Sequence, residues 1–129
     1  MNGNFILDTN ILIALFAKEQ KVVDEIGKAK QASIPSIVIG ELYYGAYNSG
    51  RTKENVEKID RFKKQVSILF CDDETARLYG QIKKQLKDSG TPIPENDIWI
   101  AALSFQYAQP LVTRDQHFGK VKGLKKLAW

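Results

Sequence analysis

Four carboxylates stand where a folded chain would not leave free acids: Asp8, Glu41, Asp97 and Asp115. Each one ends or interrupts an apolar stretch. Asp8 follows Phe5-Ile6-Leu7, and Asp115 comes just after Leu111-Val112-Thr113. Glu41 lies within Ile37-Val38-Ile39-Gly40-Glu41-Leu42, and Asp97 opens Ile98-Trp99-Ile100-Ala101-Ala102-Leu103. An unpaired buried carboxylate is costly, so acids like these are paired, protonated or bound to a metal. Several of them converging without matching cations make an oxygen-rich site for a hard divalent ion, Mg²⁺ or Mn²⁺. Zinc does not suit the chain, because one cysteine and one histidine cannot assemble its usual ligands. A hard ion in such a site polarises a phosphoryl oxygen and lowers the pKa of a bound water. The natural substrate is a phosphodiester or another phosphate ester.

The elements that must gather these acids follow from periodicity. Phe5-Ile6-Leu7 reads as a buried strand, with a helix from about Ile11 to Phe16 and another from about Val22 to Lys30. Ser33-Ile34-Pro35 is a short extended piece, and Ser36 is placed as the N-cap of a helix through Tyr47. Thr52 caps a helix whose stripe is Val56, Ile59, Phe62 and Val66; a strand follows over Ser67 to Phe70. Asp73 starts a helix with the stripe Ala76, Tyr79, Ile82 and Leu86, and Asn96 or Asp97 starts one ending near Tyr107. Pro110 to Thr113 reads as strand, with Leu124 to Leu127 as a short last one. Short buried strands alternating with helices predict an α/β chain, a three-layer α/β/α arrangement around a short parallel sheet, as a single domain over 1–129.

In open parallel sheets, ligands bind beyond the carboxyl ends of the strands, near the point where strand order reverses. Asp8 and Asp115 fall just past two proposed strands, and Asp97 at a helix start on the same side. Glu41 is placed on the packed face of its helix, among Ile37, Val38, Tyr44 and Gly45, with Gly45 permitting close approach. Composition sets outer bounds. The net charge is +4, from 19 basic and 15 acidic residues, which suits an anionic partner without demanding one. The runs Arg61 to Lys64 and Lys120 to Lys126 read as solvated faces. No apolar run is long enough for a membrane span, and Met1-Asn2-Gly3-Asn4 lacks a signal peptide's charged and apolar regions. The lone Cys71 fits a reducing cytoplasm and is expected as a small buried hydrophobe.

At Asp8-Thr9-Asn10, Glu41-Leu42, Asn96-Asp97 and Thr113-Arg114-Asp115-Gln116-His117-Phe118, the chain resembles a PIN-domain ribonuclease. In size and spacing it is most similar to the VapC-type toxins of toxin–antitoxin pairs. Each motif alone is weak, but the four in this order and context are specific. The resemblance implies a Mg²⁺-dependent endoribonuclease (Mn²⁺ being the other ion considered), with Asp8, Glu41, Asp97 and Asp115 as an acidic quartet. Asp8 and Asp97 would be the most direct ion ligands, while Glu41 and Asp115 would act through water or a second ion. Thr9, Asn10 and Thr113 would orient carboxylates or hold water. The products implied are a 5′-phosphate and a 3′-hydroxyl. The likeness further implies an RNA substrate, a homodimer, a cytoplasmic location and an antitoxin whose C-terminal segment lies in a groove. The helices carrying Tyr43, Tyr44, Tyr47 and Phe62 are the ones placed to supply it.

Other readings weigh less. A receiver domain needs an acidic pair after its first strand and a lysine after its last, and a haloacid-dehalogenase-type phosphatase needs Asp-x-Asp where this chain has Asp8-Thr9-Asn10. One histidine excludes a metal-free ribonuclease built on paired histidines, and His117 is expected to order its loop or pack beside Phe118. Arg114 either touches RNA phosphate or pairs with an acid. From a different class, a catalytically silent RNA- or protein-binding module keeps the same fold.

Overall fold

The computed structural model describes residues 3–129. Its sheet is built from β1 (Asn4–Leu7), β2 (Gln31–Pro35), β3 (Ser67–Leu69), β4 (Leu111–Val112) and β5 (Lys126–Leu127), all parallel, in the order β3-β2-β1-β4-β5. Helices α1 (Thr9–Phe16) and α2 (Gln20–Lys28) connect β1 to β2, and α3 (Ser36–Tyr47) and α4 (Thr52–Lys63) connect β2 to β3. Helices α5 (Asp73–Asp88) and α6 (Glu95–Tyr107) then carry the chain back past β2 and β1 to the far side of the sheet. This is the three-layer α/β/α arrangement the alternation predicts. Central strands covered on both faces bury consecutive residues, and Ile6, Leu7, Leu111 and Val112 are all buried.

The order reverses between β1 and β4, so their carboxyl ends flank the switch point. Leu7 pairs with Val112, and the Asp8 N–H donates to the Val112 carbonyl at 3.0 Å. Asp8 and Thr113 are thus the first residues past the paired positions of two adjacent strands. Beyond Thr113, Asp115 caps a 3₁₀ turn (Gln116–Lys120) that buries Phe118 in the core.

Several local expectations are corrected. Ser36 is the first helical residue and not the cap; Pro35 holds that place with no side-chain bond. Likewise Arg51, not Thr52, precedes α4. Asp73 does start α5, and Asp72 caps it, its carboxylate accepting from the Glu74 and Thr75 N–H groups. Its buried line runs through Thr75, Ile82 and Leu86, leaving Ala76 exposed, because a Thr75 side chain satisfied by the cap is free to turn inward. Cys71 is exposed: β3 is an edge strand that ends at Leu69, so the chain leaves the sheet before reaching it. No helix of the described residues is long and apolar enough to cross a membrane.

Candidate functional site

The carboxyl edge at the β1–β4 junction holds the acids. Asp8 is the N-cap of α1 and buried; its Oδ1 accepts from the Thr9 N–H at 2.8 Å, and its Oδ2 from the Thr113 hydroxyl at 2.7 Å and Asn10 Nδ2 at 3.3 Å. The same Thr113 hydroxyl accepts the Asp115 N–H at 3.0 Å, and Asn10 Oδ1 accepts the Arg114 N–H at 3.1 Å. Thr113 and Asn10 therefore lash the end of β1 to the end of β4. Burial raises the Asp8 pKa above the usual carboxylate range against those hydrogen bonds, and Glu41 and Asp115 push it further up.

Asp97 arrives from the other layer. Pro94 precedes α6 with its carbonyl accepting the Asp97 and Ile98 N–H groups, which puts Asp97 in the first turn. An anion there is favoured by the helix dipole. Its burial is nonetheless the larger effect: the Asp97 carboxyl is raised to about 6, chiefly by desolvation, with His117 lowering it and Asp115 and Asp8 raising it.

His117 orders its loop, the first of its two expected roles, but its reach to Asp97 is the contact that sequence reasoning missed. Its Nδ1 lies 3.1 Å from Asp97 Oδ2 and 3.0 Å from Asp115 Oδ1. The backbone N–H of His117 also donates to Asp115 Oδ1 at 2.9 Å. The only available signal was the spacing Asp115-x-His117, which becomes informative once that stretch is a cap on a 3₁₀ turn. Ligand atoms of Asp97, Asp115 and His117 all lie within 4.8 Å of one another. Asp8 lies outside that trio but raises the Asp97 carboxyl, and Glu41 in turn raises Asp8.

Glu41 is also corrected. The packed face of α3 is Val38, Ile39, Leu42 and Ala46, and Glu41 sits half-exposed at its margin. Gly45 meets no neighbour and serves no close approach. The carboxylate leans over the site because its Oε1 accepts the Thr9 hydroxyl at 2.7 Å. Arg114 takes the second of its two expected roles: its guanidinium pairs with Glu19 at 3.0 and 3.2 Å, and its Nε donates to the Trp129 carbonyl at 2.9 Å.

Among the described residues, no lysine or arginine forms an ion pair with Asp8, Glu41, Asp97 or Asp115. Buried and part-buried carboxylates gathered without a permanent cation, with Asp8 and Asp97 raised by burial and by acidic neighbours, fit a divalent ion in their donor chemistry. The PIN domain family model matches residues 5–124. The chain belongs to the PIN-domain family. Within it, Ribonuclease VapC2 of Haemophilus influenzae is 32% identical over 128 residues, covering 97% of each chain. The tRNA(fMet)-specific endonuclease VapC of Shigella flexneri is 31% identical, again over 97% of each. In solved structures, VapBC2 from Rickettsia felis bound to a promoter DNA fragment matches with a TM-score of 0.90, 27% identity and 98% coverage of both chains. This PIN protein is an enzyme, a ribonuclease of the VapC type.

Proposed function

We propose that this VapC-type ribonuclease is a metal-dependent endoribonuclease whose centre is the quartet Asp8, Glu41, Asp97 and Asp115. The observation that carries the reading is an uncompensated group of carboxylates at the switch point, one of them raised to about 6. Asp8 and Asp97 are the acids to hold a divalent ion, Mg²⁺ or Mn²⁺, with Asp115 beside them. When bound, the ion supplies charge for the scissile phosphate and acidifies a water. The chain's own groups do the positioning. Thr9 holds Glu41 across the cleft, where its carboxylate can orient a water or accept a proton. Thr113 and Asn10 fix the Asp8 carboxylate so that its lone pairs need no reorganisation. The capped 3₁₀ turn sets Asp115 and His117 against Asp97. The reaction proposed is in-line hydrolysis giving a 5′-phosphate and a 3′-hydroxyl.

The partner proposed is an antitoxin, as in the VapBC complexes the fold resembles. A groove that shares Thr9 and Glu41 with the site continues past Ile13, Phe16, Leu42 and Lys58. None of the four aromatics expected along it is among its lining residues: Tyr44 and Tyr47 are exposed, at 72% and 65%, beside it on α3. Tyr43 instead bonds Asp60 and Phe62 packs edge-on against Phe16. A peptide in this groove would reach the acids directly. A homodimer in the cytoplasm belongs to the same reading. The silent-module alternative is not favoured, since the relatives carry ribonuclease names.

Cleavage of an RNA panel that includes tRNA(fMet), by purified chain, tests the reading. Scission should need Mg²⁺ or Mn²⁺, stop with EDTA and vanish in Asp8→Asn. Undiminished scission in EDTA, or tight RNA binding without scission in any metal, would overturn it.

A further inference from the structure

We propose that His117 Nδ1 is itself a ligand of the divalent ion, beside Asp97 and Asp115, and that this nitrogen shifts the centre's preference from Mg²⁺ toward Mn²⁺. The inference rests on the metal reading above and adds a donor that an all-carboxylate quartet lacks. Three observations carry it. First, Asp97 is only 8% exposed, and among the described residues the His117 ring is its only side-chain hydrogen-bonding partner. Second, one ring nitrogen faces two carboxylates at once, at 3.1 Å and 3.0 Å. Cis ligands of an octahedral ion with bonds of about 2.1 Å stand about 3.0 Å apart, so these separations equal the edge of such a polyhedron. Third, the donors are on preset elements: Asp97 in the first turn of α6, Asp115 as a cap with its own backbone bond, and His117 on the turn anchored by buried Phe118.

The chemistry of the ring permits both states. In its Nδ1–H tautomer the ring donates to the carboxylates. With the ion, Nδ1 offers its lone pair and the proton resides on Nε2, on a side chain that is 46% exposed and in reach of water. Magnesium takes oxygen almost exclusively, whereas imidazole is a better ligand for Mn²⁺ and the later divalent ions.

The chain has one histidine, so any imidazole coupling to a bound ion is His117. Tag-free protein loaded with Mn²⁺ is examined by pulsed EPR for nitrogen modulation, with and without ¹⁵N-histidine. Affinities for Mn²⁺ and Mg²⁺ are measured by calorimetry in the wild type and in His117→Gln. The expected result is a nitrogen coupling that changes with the isotope and is lost in the variant. The Mn²⁺ over Mg²⁺ affinity ratio should also fall by about tenfold or more, the scale on which groups around a metal act. Mn²⁺ bound at stoichiometry with no nitrogen coupling overturns the role of His117 and leaves the carboxylate centre standing. No Mn²⁺ binding at all overturns both.

Discussion

Asp97 carries the sharpest pH signature at the residue scale. Its folded pKa is about 6 against an ordinary 3.8, mostly because burial disfavours the anion. Between those values the folded, metal-free protein keeps a proton that the unfolded chain releases. This group's stabilising contribution is therefore full at about pH 4 and is lost as pH rises through about 6. Thermal melts of metal-free wild type and Asp97→Asn should show it: the wild type loses stability relative to the variant on going from acid to neutral pH. Metal affinity runs the other way, weakening below about pH 6, because the ion must displace that proton. Thr113→Val is nearly isosteric but removes the hydroxyl that donates to Asp8 and accepts from Asp115. Metal affinity or kcat should drop by about 10–100-fold with the fold kept, measured by calorimetry and cleavage rates.

The 3₁₀ turn is the element on which the site depends most. It is a short 3₁₀ run, whose hydrogen-bond geometry is poorer than an α-helix's, so tertiary anchors matter to it. Phe118 is fully buried beneath it. Phe118→Ala should cost about 3–5 kcal/mol in chemical denaturation, and metal affinity should fall with it as Asp115 and His117 lose their footing. Arg114 secures the same segment from outside, through Glu19 at the start of α2 and the Trp129 carbonyl. Exposed ion pairs contribute little to stability, so Arg114→Ala should leave the melting temperature nearly unchanged. Its effect belongs in kcat, a loss of up to about 100-fold if the acids shift by an ångström.

For the whole molecule, the ion is a ligand of the folded state alone. Mn²⁺ at 100 times its dissociation constant stabilises by about 2.7 kcal/mol, on the order of 10 °C for a chain of this size. EDTA should reverse that shift in a thermal scan of the wild type and have no effect on Asp8→Asn/Asp97→Asn. The groove from Thr9 and Glu41 past Ile13 runs over α1, α3 and α4, so the proposed antitoxin site would be a property of their assembly. Ile13 is 57% exposed there. Ile13→Asp should weaken binding of the proposed antitoxin by tenfold or more in calorimetry, since a charge would be buried without a partner.

The run of short apolar strands and striped helices was enough to specify a parallel α/β/α chain, because strand and helix periods are local properties of side-chain order. It was also enough to place Asp8, Asp97 and Asp115 at one edge of the sheet, since an acid directly after a buried strand or at a helix start has few local explanations. The direction of Glu41, the exposure of Cys71 and the contact of His117 with Asp97 were beyond its reach. Glu41 is turned by a hydroxyl thirty-two positions away along the chain, Cys71 by the place of β3 at the sheet edge, and His117 by a carboxylate on another layer. Local pattern reports which side chains are apolar and how they repeat. Which polar groups meet is settled by packing, where a buried charge must take whatever partner the assembled layers bring within reach.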